Sequence, residues 1–422
     1  MHPSQKGCRK DAHMRRRRME VLAAAFLLST VFVATVRCAA DAERANTTAG
    51  EKLACPQPSE PRARSAASGP RSPNARTTGG GYPGRRIAQL VERAGVIVRG
   101  TVESVEALGD GVLTTIRSPE GYVAPAEFAD ATQGELQPDE YAVSVCRAEF
   151  HVISVLKGSA AQADSTIVVD FYLPYLGPVW AALMVGQHGL LLLDGNGNLA
   201  DLFYPLLPIS PAAPNWSSDL PPLDAVGQYL LLSLRPDTFP ATLESCLDGA
   251  LDLGIAADAA ESLRSLAASK DPAVRGIGLR GLVEIKDPRS VPDAVAYLLS
   301  GTAVPAMPQV PIRLAVAIGT LDDPSLAQAI MPLLSSPNSV LRGCAVQALR
   351  RMKNPAAIPA LVGALADPDQ SIQYGAMMGI AETVGAPSEW LPSRPLFEEA
   401  PRRYLDHWLL WWDTEGQETA LR

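Results

Sequence analysis

A chain of 422 residues with 47% apolar residues is long enough for two or three domains, each with a real core, and is not disordered as a whole. Its formal charge of −8 divides unevenly: Lys and Arg exceed Asp and Glu by eight to two before residue 41, leaving 29 basic against 43 acidic residues after it. That acidic remainder argues against nucleic acid as a partner, which needs a concentrated basic face, while 6% aromatic residues beside 33 Gly and 36 Pro suggest close-packed small-residue helices, many turns and an unfolded stretch.

Met14-Arg15-Arg16-Arg17-Arg18 precedes an apolar run from Val21 to Val36, and small residues follow at Ala39, Ala40 and Ala42. This is the layout of a secretory signal over residues 1–40, with cleavage after Ala40 or Ala42. The run is shorter than the ~20 residues of a membrane span; the alternative is a retained single-pass anchor that tethers the chain to the membrane. Residues 41–84 are rich in Pro, Gly, Ser and Arg, have little to bury, and read as a flexible linker. Cysteines stand at Cys8, Cys38, Cys55, Cys146, Cys246 and Cys344 without any CxxC spacing, so neither a zinc site nor a dense disulfide framework is signalled.

From Ile87 the pattern changes. IAQLVERA reads as a short helix, VIVRGTVESVEA and AVSVCRAEFHVISVLKG alternate as half-buried strands, and STIVVDFYL, HGLLLLD and NLADLFYPL supply three more strand candidates. Residues 85–210 are thus expected to form a small β barrel or sandwich. A Pro-rich strap follows over 211–244, with one helix from Val226 to Leu234.

Helix patterns then dominate, and a repeat can be written out. Val274-Arg275, Ile312-Arg313, Leu341-Arg342 and Ile372-Gln373 coincide, at spacings of 38, 29 and 31 residues, followed by Gly278, Val316, Ala345 and Ala376. Pro288, Pro324 and Pro355, each preceded by Asp287, Asp323 or Asn354, mark corners where a second helix starts without losing a needed N–H. An all-α solenoid over 245–385 is expected, closed by residues 386–422, where Tyr404, Trp408, Trp411 and Trp412 recur at helical spacing as an aromatic capping helix.

The Val340-Leu341-Arg342-Gly343-Cys344-Ala345 segment and the Asn354–Leu361 corner resemble HEAT repeats of the phycobilisome-lyase type, which implies a helix-pair solenoid of the kind used by scaffolds and adaptors. In that resemblance Arg275, Arg313 and Arg342 hold the recurring basic position, and Gln373 departs from it. The order of strands from residue 96 to 200 resembles small modules related to the netrin or metalloproteinase-inhibitor fold, without their disulfide set.

For chemistry, there is no HExxH, G-x-S-x-G or GxxxxGK[ST]. Asp194-Gly195-Asn196-Gly197-Asn198 has the spacing of a calcium-loop opening, but Leu199 and Pro205 stand where Gly and Glu are required, so a hairpin turn is the better reading. Cys146 and His151 fall on opposite faces of one strand, which disfavours a Cys–His pair. The reading is therefore a non-enzymatic scaffold or adaptor with no catalytic, cofactor or metal residues, exported to the periplasm or beyond, binding a protein partner in a bacterial envelope. The alternative is an envelope hydrolase or protease inhibitor with its site in the β region or the Pro-rich strap, which a cleft joining His151, His188 and acidic residues would favour.

Overall fold

The computed structural model describes residues 86–117, 122–130, 136–159, 161–175, 182–214, 220–302 and 304–420. The signal and linker segments lie outside these residues. The described part opens on a helix, α1 (Arg86–Arg93), whose buried Ile87, Leu90 and Val91 form one face. Lys157 Nζ ends it by donating to the carbonyls of Val91 and Glu92 at 2.8 and 2.9 Å, a cation against free C-terminal carbonyls.

Six strands follow: β1 (Val96–Arg117), β2 (Val123–Asp130), β3 (Glu140–Lys157), β4 (Thr166–Pro174), β5 (His188–Leu193) and β6 (Leu206–Pro208). They pair in the order β4-β3-β1-β5-β6, with β2 also on β1. The sheet is open, so the expected barrel is not formed. The reason lies in β1, which pairs β3 along most of its length through four register shifts, while its other side is shared between β5 near Val96–Thr101 and β2 near Gly111–Arg117. The resulting bend brings the rings of Phe128 on β2 and Tyr172 on β4 to 6.2 Å, so side chains meet where a closed barrel would have a backbone ladder. NLADLFYPL is not the fifth strand: Leu199–Pro205 run as irregular chain, and the last strand is the short β6.

Alternation divides the sheet into two faces. Val98, Val102, Ala148, Phe150, Val152, Val169, Phe171, Leu191 and Leu193 form one apolar core. Ile97, Leu190, Leu192 and Leu207 belong to another, which they share with Ile87 and Leu90 of α1 and with Val226, Tyr229, Leu230, Leu243, Leu247, Leu263, Ile277 and Leu282 from the helices. Sheet and first helices thus share an apolar core.

The helices are α2 (Pro222–Leu232), α3 (Pro240–Asp252), α4 (Ala260–Ala267), α5 (Pro272–Glu284), α6 (Val291–Leu299), α7 (Gln309–Gly319), α8 (Ala327–Ile330), α9 (Ser339–Met352), α10 (Ile358–Ala364) and α11 (Gln370–Val384). Asp271, Asn338 and Asp369 cap α5, α9 and α11 through side-chain oxygens that accept from first-turn amides. Asp287, Asp323 and Asn354 do the same for the 3₁₀ turns that open the second helices. Gly278 lets α5 lie against α4, since a Cβ there would fall 2.4 Å from Ala267 N.

Burial corrects the register of one unit. The buried pairs Ala345-Val346 and Ala348-Leu349 correspond to Ala376-Met377 and Gly379-Ile380, and in α7 to Leu314-Ala315 and Ala317-Ile318. Val310, not Ile312, therefore takes the place of Leu341, and Pro311 rather than Arg313 stands at the basic position. The corner residues agree: Asp287, Asp323 and Asn354 are separated by 36 and 31 residues. The extra length lies between α6 and α7, where the connection tucks Met307 into the shared core.

Beyond α11, the short α12 (Arg394–Glu399) and α13 (Pro401–Trp411) place Phe397, Tyr404 and Trp408 in the same cluster as Met377 and Ile380. A π turn, Trp412–Gly416, and α14 (Gln417–Ala420) complete the described chain. Among the described residues no helix is long and apolar enough to cross a membrane.

Candidate functional site

Two polar arrangements stand out. The first lies on the helix-side face of the sheet. Thr101 on β1 is flanked in register by His188 on β5 and His151 on β3, so the two histidines share one cross-strand row. Sequence alone could not join them, because the pairing is made between segments far apart in the chain. Gly100 permits the close crossing, for a Cβ there would fall 1.9 Å from the His151 carbonyl oxygen.

His188 is held at both nitrogens: Arg99 Nε donates to Nε2 at 3.1 Å, and Nδ1 lies 2.9 Å from Thr101 Oγ1. Because a guanidinium can only donate, Nε2 must be the lone-pair nitrogen, and the ring proton sits on Nδ1. Burial, reinforced by the Arg99 charge, pushes the His188 pKa down to about 4. Arg99 itself is 3% exposed and spends its other nitrogens on the strap, donating to the carbonyls of Pro211, Ala213 and Pro214 at 3.3, 2.7 and 3.1 Å. Its Cζ also lies 5.1 Å from the centre of the Tyr229 ring. Farther along this face, Ser104 donates to Glu149, and Arg147 pairs with Asp170 through two bonds of 2.7 and 3.0 Å. These groups satisfy one another. Neither His188 nitrogen is free to take a proton from a substrate, which is what a general base would have to do.

Elsewhere in the β region, Asp201 is fully buried and accepts from the backbone of Phe203, Tyr204 and Val123 at 2.7, 3.1 and 3.4 Å, with Arg86 at 3.5 Å. Burial pushes its carboxyl above the usual range, against the pull of Arg86 and the three amides. The joint ties the start of α1 to the sheet.

The calcium-like segment is a turn. Asp194 Oδ1 accepts from the amides of Asn196 and Asn198 at 2.8 and 2.9 Å, and Gly197 has φ +86°. Cys146 packs in the sheet core away from His151, as alternation requires. Cys246 donates to the Pro208 carbonyl, and burial pushes its thiol up to about 12, so it is inert at neutral pH. Cys344 is half-buried. Among the described residues no group of three or more His, Cys, Asp or Glu could hold a metal.

The second arrangement runs across the first helices of the stack. Glu244 and Asp248 on α3 meet Arg280 and Glu284 on α5 and Gln309 and Arg313 on α7. Arg313 Nη1 lies 3.2 Å from Glu244 and 2.6 Å from Asp248, Arg280 pairs with Asp248, and Gln309 donates to Glu244 at 3.0 Å. Burial lifts the Asp248 carboxyl, but Arg280 and Arg313 outweigh it and hold the group below its ordinary value. Glu284, farther from either arginine, is pushed up by burial. A separate pair stands at α9 and α11, where Arg350 binds Glu382 while Gln347 and Arg351 face outward. Arg342 works differently, as a staple to the next unit: it binds Asp367 at 2.6 and 3.0 Å and the Ser336 carbonyl at 3.0 Å. Gln373, one unit on, reaches the Asp367 carbonyl at 2.7 Å.

This repeat geometry has a counterpart among known families. Residues 304–381 match the family of HEAT repeats. No curated protein matches the chain in sequence. Two crystal structures of engineered proteins from the Northeast Structural Genomics Consortium are similar to parts of it. One is 18% identical over 47% of this chain and 88% of its own, the other 20% identical over 49% and 54%, each with a TM-score of 0.25.

Proposed function

We propose that this chain is an exported, non-enzymatic adaptor that docks a protein partner through the outward face of its stacked helices. HEAT repeats suggest a protein-interaction scaffold. The observation that carries the reading to this chain is the row of side chains crossing α3, α5, α7, α9 and α11, where Gln347 and Arg351 stand exposed beside internally paired charges. Such a surface presents polar groups on successive units and offers specificity without a reaction centre. Export rests on the basic segment at Arg15–Arg18 and the apolar run Val21–Val36, with a retained anchor as the alternative.

A photo-crosslinking residue placed at Gln347 or Arg351, and for comparison at Val168 on the exposed face of β4, tests the surface in intact cells. Protein adducts from the helix positions support the adaptor. Adducts from Val168 alone would sink it and move the site to the β region. Mass spectrometry of the mature N-terminus tests export: a start near Asp41 or Glu43 supports cleavage, and an intact Val21–Val36 segment supports the anchor.

The hydrolase or inhibitor reading gains from the row that joins His151 to His188. It loses more from the hydrogen bonds at both His188 nitrogens, which leave that ring no proton to give or take at neutral pH.

A further inference from the structure

The start of the strap, residues 209–214, is held by its own backbone bonds, by the burial of Ile209 and Ala213, and by one side chain reaching from the sheet. Arg99 reaches from the sheet to three carbonyls within Pro211–Pro214, and the orientation of its guanidinium is fixed on the sheet side by His188 Nε2. We propose that Arg99 and His188 form an acid-released latch that holds this strap over the junction between sheet and helices.

The chemistry follows from the donor count. Neutral His188 is an acceptor toward Arg99 and places its own proton toward Thr101. When Nε2 gains a proton, two N–H groups and two positive charges face each other, so the hydrogen bond cannot form and the guanidinium and imidazolium repel. The described groups around the pair are as follows. Within the row, β1 supplies Arg99 and the uncharged Thr101, and β3 supplies His151, which brings no negative charge. On the helix side stand Tyr229 of α2, beneath the guanidinium, and Cys246 of α3, bonded to the Pro208 carbonyl. Glu149 lies two residues along β3 from His151 but is engaged by Ser104. Pro211, Ala212, Ala213 and Pro214 themselves bring no carboxylate to the latch. The low proton affinity of His188 means the latch stays shut near neutrality and opens only in distinctly acidic surroundings.

What opens is defined by the strap's own bonds. Ile209 N donates to the His188 carbonyl, Ser210 N to Ser233 Oγ and Ala213 N to the Ser210 carbonyl. Hydrogen exchange on the full chain, corrected for intrinsic rates and referred to Leu341–Leu349 of α9, reads these amides between pH 6.5 and pH 3.5. Proton NMR follows the His188 ring, assigned with the His188→Gln variant. Gln can accept from Arg99 at any pH. The expected result is at least a ten-fold loss of protection at Ile209, Ser210 and Ala213 as His188 titrates, with no such loss in His188→Gln. Strap protection that stays level through the His188 titration overturns the latch, and so does an equal loss in His188→Gln. If that variant does not fold, the wild-type midpoints decide: coincidence within one pH unit supports the latch, and a wider gap overturns it.

Discussion

Asp201 offers the sharpest test of how the β region is built. Its carboxylate has no contact with water and receives three backbone amides and Arg86. Asp201→Ala leaves three buried donors and a largely buried guanidinium without their acceptor, a loss of about 3–5 kcal/mol when summed as one broken buried pair with its hydrogen bonds. Asp201→Asn should cost less, about 1–2 kcal/mol. Its carbonyl oxygen can still take the two shorter bonds, from Phe203 and Tyr204, and only the longer contacts to Val123 and one arm of Arg86 would face an amide N–H. Burial already works against the charge at this site, which further narrows the penalty for removing it. Urea unfolding at pH 7, followed by circular dichroism and by the fluorescence of the tryptophans, gives both midpoints. Equal midpoints for the two variants, or an Ala variant within about 1 kcal/mol of wild type, would refute the view that Asp201 acts by satisfying amides.

Stability should also depend on His188. Its folded pKa of about 4 lies below the unfolded value of about 6.5, so the unfolded chain binds more protons between these limits, and stability falls as pH drops from 6.5 to 4, by up to about 3 kcal/mol. A urea-midpoint series should show this slope in wild type and not in His188→Gln. Arg342→Ala strands Asp367, 9% exposed, and should cost about 3 kcal/mol, whereas Arg342→Lys recovers only part because one ammonium cannot make the two-point contact; thermal unfolding checks both. Trp408→Ala removes a ring that is 2% exposed, at about 3–5 kcal/mol, and should speed exchange in Gln370–Val384 but not in β1 and β3. Unchanged protection in α11, joined to loss of a binding partner, would make the aromatic row a docking surface instead.

Much of the helical part was legible because each cue there is local. Asp or Asn before a helix start and Pro just inside it fix the corners whatever the neighbours do, and the structure places those caps as the sequence indicates. The register of α7 was misread because matching Arg313 to Arg342 ignored the longer connection before it. β2 went unread since VAPAEFAD carries a Pro and two acids and becomes a strand only by pairing with β1. The open sheet was invisible for the same reason: a bend made by register shifts has no composition. The polar row at Thr101 depends on three strands meeting, and its one sequence signal was the outward parity of His151, opposite to Cys146.

The core common to sheet and helices also bears on the order of events during synthesis. The core that the face carrying Ile97, Leu190, Leu192 and Leu207 belongs to is finished only when Val310 has been made. At about 5–20 residues per second, the 103 residues from Leu207 to Val310 take roughly 5–20 s to emerge, during which this face is covered by α1 and by only some of the later helices. A nascent chain of this design stays unfinished and adhesive until late. The part of that face which α1 leaves uncovered is the surface on which a chaperone would have to act in this interval.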